Sequence, residues 1–259
     1  MKKQRVDEWV NPDPGEIDSY FLKQWDTTYR STILFCKWLN YNGYGLLENP
    51  NFNRVCDLGC GAGSNTYYLH KNFPKLKVQG IDVSPTLIKL AKQQVKKRQA
   101  NIKYSQGDLY NLPIGYKNKF DGIILFQTLS WLPEYKQAIK KIINLNPKYI
   151  AFSCLLNDSL VESEIHIKDF SRTEHGEYQE KFYNIYSIEK IKQLFNQHNY
   201  TFYCEPFKID IDIPRNPNNK GMTTYTQTLA NKERAQISGG LLLPWHFALA
   251  IRNRPPRSK

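Results

Sequence analysis

Arg54-Val55-Cys56-Asp57-Leu58-Gly59-Cys60-Gly61-Ala62-Gly63-Ser64 is the stretch whose reading decides the fold. Val55 to Leu58 reads as the end of a buried strand. Gly59, Gly61 and Gly63 then permit a tight turn and close approach of a ligand to the backbone. Asn65 to His70 continues into a helix whose first N–H groups open on that turn. A glycine triplet alone marks either a packed turn or a nicotinamide site. The downstream spacing adds information. Val78-Gln79-Gly80-Ile81-Asp82-Val83-Ser84 reads as a second short strand ending at a carboxylate, and Asp82 falls 25 positions after Asp57 and 19 after Gly63. A carboxylate at such a strand end accepts both hydrogen bonds of a ribose diol. Pro85 then starts a helix through Leu87, Ile88, Leu90 and Ala91.

The pattern repeats outward. Ile102, Tyr104 and Gln106 predict a third strand ending near Gly107-Asp108-Leu109, where Asp108 can accept from an adenine amino group and Leu109 can cover the ring. Phe120 to Phe126 is a fourth strand and Pro147 to Ser153 a fifth. Between them, Ala138, Ile139, Ile142, Ile143 and Leu145 suit a helix crossing back to a parallel neighbour. Ser187 starts another helix, with Ile188, Ile191, Leu194 and Phe195 inward. Strand pattern resumes at Tyr200 to Cys204 and is expected to extend through Phe207 to Ile213. Thr223 to Leu229 and Ala235 to Ile237 predict a hairpin joined by residues 231–234. His246 to Arg252 is the last strand.

These blocks resemble the class I S-adenosylmethionine-dependent methyltransferase family. The resemblance is carried by VCDLGCGAG at 55–63, GIDVS at 80–84, GDLYNLP at 107–113 and FDGIILFQTLSWL at 120–132. It covers roughly residues 50 to 155. It implies an α/β fold: a Rossmann-like, seven-stranded, mostly parallel sheet with helices on both faces and His246 to Arg252 as its antiparallel strand. The expected organisation is an N-terminal helical cover (1–50), a donor-binding core (51–155), a substrate lid (156–185), and completion of the sheet with a C-terminal β-hairpin extension (186–259). S-adenosyl-L-methionine is the implied cofactor and S-adenosyl-L-homocysteine the product. By the same resemblance Asp57 and the Gly59, Gly61 and Gly63 loop surround the methionine part, Asp82 holds ribose, and Asp108 with Leu109 faces adenine. Gln127 lies near donor or acceptor, or ties down its loop, while Asp121 caps or joins the sheet.

Other readings stay paired. Trp25 and the helical positions Ile33, Leu34, Phe35, Trp38 and Leu39 form the cover. Tyr29 and Arg30 stand just before that helix, where the Arg30 fork can pair with the donor carboxylate or support the surface. Trp131 is a wall beside the sulfonium or a packed lid residue, and Trp245 a substrate wall or a core residue. Residues 156–185 are polar and read as a solvated helix-and-loop pair. His166, His175 and His246 are alternative candidates for a base.

Composition bounds the function. The chain has 259 residues, 41% hydrophobic and 23% charged, which excludes collagen, linker and disordered classes. Its 36 basic and 24 acidic residues give +12, matching either an RNA or other anionic partner or a lysine-rich surface. Cysteines 36, 56, 60, 154 and 204 are odd in number and irregular in spacing, so neither a disulfide scaffold nor a metal site is expected. Arg5, Asp7, Glu8 and Trp9 offer no apolar signal core, and no stretch approaches the roughly 20 apolar residues of a membrane span. A cytoplasmic protein is expected, with no metal. Phe126-Gln127-Thr128-Leu129 is not the Asn-Pro-Pro-Tyr type of many base amino-group methyltransferases, and the double-glutamate loop of protein-arginine methyltransferases is missing. The expected reaction is methyl transfer to an O or N nucleophile of a small molecule or saccharide. The alternatives are an RNA methyltransferase and a noncatalytic donor-binding regulatory or interaction module.

Overall fold

Strand β1 (Arg54–Leu58) alternates its side chains between two cores: Val55 enters one, Cys56 and Leu58 the other. That alternation requires cover on both faces of the sheet. The computed structural model describes residues 21–42, 44–171, 178–218 and 220–253. Helices α1 (Lys23–Asp26), α2 (Arg30–Tyr41), α3 (Ser64–Asn72) and α4 (Pro85–Lys97) supply the first layer, with Trp25, Phe35, Trp38, Leu69 and Ile88 buried. Helices α5 (Lys136–Asn144) and α6 (Ile188–Asn196) supply the second through Ile139, Ile142, Ile191 and Phe195. Their starts follow capping chemistry. Ser84 Oγ accepts from Leu87 N–H at 3.3 Å ahead of Pro85, and Ser187 Oγ accepts from Lys190 N–H at 3.4 Å.

The other sheet strands are β2 (Lys77–Asp82), β3 (Lys103–Gln106), β4 (Gly122–Leu125), β5 (Tyr149–Asn157), β8 (Tyr186–Ser187), β9 (Tyr200–Pro206) and β13 (Trp245–Arg252). Their order is β3-β2-β1-β4-β5-β13-β9, with β8 paired to the end of β5. β1 to β5 run parallel, while β13 lies antiparallel to both β5 and β9. This is the Rossmann-like arrangement expected from the strand-and-helix pattern. Strand order reverses at β1, so the carboxyl ends of β1, β2 and β4 flank a natural crevice.

The accessory strands include the expected hairpin, β10 (Thr224–Thr228) with β11 (Arg234–Ser238), extended by β12 (Leu241–Leu242). Two expectations are corrected. Residues 156–185 contain no helix among those described; β6 (His166–Asp169) and β7 (Gln179–Phe182) pair antiparallel instead. Their cross-strand contacts explain the choice. Lys181 Nζ lies 3.5 Å from Asp169 Oδ2, both buried, and Phe182 stacks on His166 at 5.2 Å. Phe207 to Ile213 does not continue β9 as a strand. It makes single backbone bonds, Phe207 N–H to Trp245 O at 2.8 Å and Thr226 N–H to Ile213 O at 2.9 Å, and its acids pair with arginines instead.

Asp121 joins the sheet at the end away from the crevice. It accepts from Arg54 N–H at 3.0 Å and from the Arg54 guanidinium, and Lys148 Nζ lies 3.0 Å away. Burial pushes its carboxyl up, but Arg54 and Lys148 outweigh that and hold it at about 2. A depressed carboxyl contributes stability above its unfolded value, lost as pH falls through its folded one. Asp121→Asn is therefore expected to lower the melting temperature most above about pH 4, with the gap to wild type closing toward about pH 2. Thermal melts across that range check it; a gap independent of pH would contradict the network's role.

Candidate active site

The glycine loop is folded back onto β2 by its own backbone: Gly59 and Cys60 N–H both donate to Ile81 O, at 2.8 and 3.1 Å. Gly63 N–H donates to Cys60 O at 2.9 Å, and Gly63 caps α3 in the left-handed region. Asp82, at the end of β2, fastens the same loop. Its Oδ2 accepts from Gly61 N–H at 2.8 Å and its Oδ1 from Ser84 N–H at 2.9 Å. Asp57, within β1, accepts from Thr66 Oγ1–H at 2.6 Å, and its other oxygen is buried without a partner. Burial raises both carboxyls, Asp57 to about 7 and Asp82 to about 6. The Thr66 hydroxyl opposes the shift at Asp57, and the Ser84 and Gly61 amides oppose it at Asp82.

An open-mouthed cavity lies above these strand ends. Of the residues singled out by sequence, Tyr29, Gly59, Gly61, Asp82, Asp108, Leu109, Gln127 and Trp131 line it together. Asp57 and Gly63 stand outside its lining. Gln127 adopts φ 54° and donates its N–H to Ser153 Oγ at 2.9 Å, and Ser153 also faces the cavity. Asp108 Oδ1 accepts from Tyr110 N–H at 3.0 Å, and Tyr110 O–H reaches Glu134 O at 2.6 Å across the cavity's edge.

Arg30 is placed elsewhere. Its guanidinium forms a bidentate pair with Asp210, with Nε 2.7 Å from Oδ1, and it does not line the cavity. Neither do the two base candidates that are described, His166 and His246. His166 is exposed on β6, 3.5 Å from Glu180, and His246 is half-buried on β13 with Nδ1 2.9 Å from Pro244 O. Burial lowers the His246 pKa. His175 lies outside the described residues. The geometry of the described residues thus gives no support to a histidine base. Trp245 is buried in the core, against Trp131.

Several site residues had no local sequence signal. Phe21, Gln24 and Thr32 bring the helical cover onto the cavity, where Ser64 Oγ donates to Gln24 Oε1 at 3.1 Å and Thr32 Oγ1 to Asn65 Oδ1 at 2.9 Å. Trp25 Nε1–H closes the same seam on Ala62 O at 3.0 Å. The turn carrying Trp131 is clamped from the far side. Asn184 N–H donates to Ser130 O at 2.9 Å, Asn184 Nδ2–H to Leu132 O at 2.8 Å, and Tyr186 O–H to Leu129 O at 3.2 Å. Among the described residues no group of His, Cys, Asp and Glu could hold a metal ion, and no helix is long and apolar enough to cross a membrane.

Residues 55–146 match the family model described as "Methyltransferase domain". Over 103 residues the chain is 32% identical to trans-aconitate 2-methyltransferase of Escherichia coli O157:H7, spanning 39% of this chain and 38% of that protein. Over 164 residues it is 29% identical to malonyl-acyl-carrier-protein O-methyltransferase of Priestia megaterium, spanning 60% and 56%. The chain thus matches well under two thirds of the length of these relatives. Its fold superposes on 1,6-didemethyltoxoflavin-N1-methyltransferase of Burkholderia thailandensis with a TM-score of 0.53 at 14% identity, covering 90% of this chain and 86% of that one.

Proposed function

We propose that this chain, whose residues 55–146 match a methyltransferase domain, is a class I S-adenosylmethionine-dependent methyltransferase that transfers a methyl group from S-adenosyl-L-methionine to an oxygen or nitrogen nucleophile of a small molecule or saccharide. One observation carries this reading: two carboxylates at neighbouring strand ends, a glycine loop and a ring-lined wall all open on a single cavity.

The residues present suit the donor. Asp82 has acceptor capacity left beyond the Gly61 and Ser84 amides, so it can take ribose hydroxyls. Asp108 can take an adenine amino group, and Leu87 with Leu109 supplies an apolar slot for the ring. The loop and the start of α3 offer backbone N–H groups to a carboxylate. The acids complement a positively charged sulfonium. When bound, the donor supplies an electrophilic methyl group on sulfur and leaves as S-adenosyl-L-homocysteine.

This chain's own contribution is placement. Trp131, Phe126 and Tyr29 exclude water and fix the angle of approach, which is where most of the acceleration of a bimolecular transfer arises. With no imidazole in the described lining, the acceptors best supported are those whose lone pair is available without a base. A cytoplasmic location belongs to the same proposal, supported by five free thiols.

The test incubates the purified chain with methyl-labelled S-adenosylmethionine and separate small-molecule, RNA and protein extracts. Label is expected in the small-molecule fraction. Label confined to RNA or protein would replace the acceptor class, and donor binding without label in any fraction would favour the noncatalytic module.

A further inference from the structure

We propose that the acceptor is an uncharged, flat ring compound seated against Trp131, and that the cavity rejects acceptors carrying carboxylate groups. This rests on the donor reading above and narrows it.

Charge is the first argument. The chain carries +12, yet among its described residues the cavity lining contains Asp82 and Asp108 and no lysine, arginine or histidine. The described basic residues lie outside: Lys89, Lys92 and Lys96, for instance, occupy the exposed face of α4. Arg30, the cation nearest in sequence to the cavity residues Tyr29 and Ser31, is held by both oxygens of Asp210. With Asp82 and Asp108 engaged by the donor, an anionic acceptor entering this space would give up its hydration with no lysine, arginine or histidine of the described lining to receive it. A neutral acceptor gives up far less.

Shape is the second argument. Trp131 is braced by two other rings: Tyr183, edge-on at 4.1 Å, and Trp245, edge-on at 5.8 Å. Its turn is fixed by Asn184 and Tyr186, and by Ser130 Oγ, which accepts from Leu155 N–H at 2.8 Å. Phe126 and Tyr29 line the same cavity. An indole held this firmly has little freedom left to lose when a ligand binds, and flat rings gain most from contact with such a surface. Tyr183 does not line the cavity and acts as a positioning residue through its contact with Trp131. The transfer itself forms a bond between the methyl carbon and the acceptor's oxygen or nitrogen lone pair, the S–CH3 electron pair returns to sulfur, and the acceptor's proton is lost to bulk solvent as the methylated product leaves the cavity.

Binding tests this without turnover. The full chain is saturated with S-adenosylhomocysteine and titrated, by calorimetry and tryptophan fluorescence, with 8-hydroxyquinoline and 5-hydroxyindole. Their ring-carboxylated counterparts and methyl glucoside form the other arms. The neutral rings are expected to bind, with the carboxylates weaker by about tenfold or more. Trp131→Ala should weaken the neutral rings about tenfold, and Trp131→Phe, which keeps a ring and guards against misfolding, by only about threefold. Tyr183→Ala should raise the neutral-ring Kd and leave that for S-adenosylhomocysteine unchanged. Carboxylates binding as well as the neutral rings, binding of the glucoside alone, or binding of none of the compounds would overturn the proposal. Failure of S-adenosylhomocysteine itself to bind would instead remove the donor reading beneath it.

Discussion

Asp82→Asn is expected to weaken S-adenosylhomocysteine binding about 100-fold, with the far-UV spectrum unchanged. Hydrogen bonds to a charged acceptor are worth about 1.5–3 kcal/mol each, and a ribose diol makes two. The variant also turns an amide NH2 toward either Gly61 N–H or Ser84 N–H, both of which now find a carboxylate oxygen. The loop loses a fastening as well as the ligand. Titration calorimetry measures the affinity, and its pH dependence adds a second check. Burial lifts the Asp82 carboxyl to about 6 in the ligand-free protein. Ribose and a positive sulfonium favour the ionised form, so wild-type donor affinity should fall as pH drops through that value, while the Asn variant loses this dependence. A folded Asn variant with wild-type affinity would remove Asp82 from the ribose role.

Gly63→Ala carries the second large effect, this time on stability. Gly63 sits at φ 89°, and a Cβ there would lie 2.6 Å from the Tyr104 hydroxyl and 2.7 Å from its ring. That ring is 4% exposed, and its O–H donates to Gly63 O at 2.8 Å. Backbone strain of about 1–2 kcal/mol therefore adds to displacement of a buried, hydrogen-bonded ring, for a sum of about 3–5 kcal/mol. In a domain of this size that lowers the melting temperature by about 10 °C. Gly45→Ala separates the two contributions, because Gly45 has φ 56° and nothing within 4 Å of its added Cβ. It should show the backbone strain alone. Equal losses in the two variants would mean that Tyr104 yields freely.

The contrast between those glycines also shows what a sequence can and cannot reveal. The Gly59–Gly63 turn, Asp82 and Asp108 were legible because each follows a strand within a few residues, and adjacent parallel strands bring their ends together without further information. The sheet order needed only the repeated strand-and-helix alternation. Asn184 and Tyr186 were not legible as site residues. They act on a turn more than fifty positions earlier in the chain, and nothing near them marks the partner. The same holds for Arg30: its neighbourhood suggested a ligand, but its partner Asp210 is 180 positions away. Ile209-Asp210-Ile211-Asp212-Ile213 alternates as a strand should, yet alternation records only which side chains are apolar. A strand also needs a neighbour offering a ladder, and here Arg30 and Arg234 hold the acids instead. The β6–β7 hairpin escaped recognition for the opposite reason. Its apolar alternation is weak, and its pairing rests on a buried lysine–aspartate contact and a histidine–phenylalanine stack.

The position of β13 has a consequence for how the chain reaches its native state. The strand inserts between β5 and β9, and its partners in β5 lie on the order of a hundred residues earlier in the chain. Until Trp245–Arg252 has been synthesised and has docked, β5 and β9 each present an open edge in a largely apolar sheet. On the ribosome, the donor-binding half can therefore assemble early, but it must wait for its last strand with two sticky edges exposed. Chains cut between β9 and β13 should accumulate as aggregates even though every residue lining the cavity is already present.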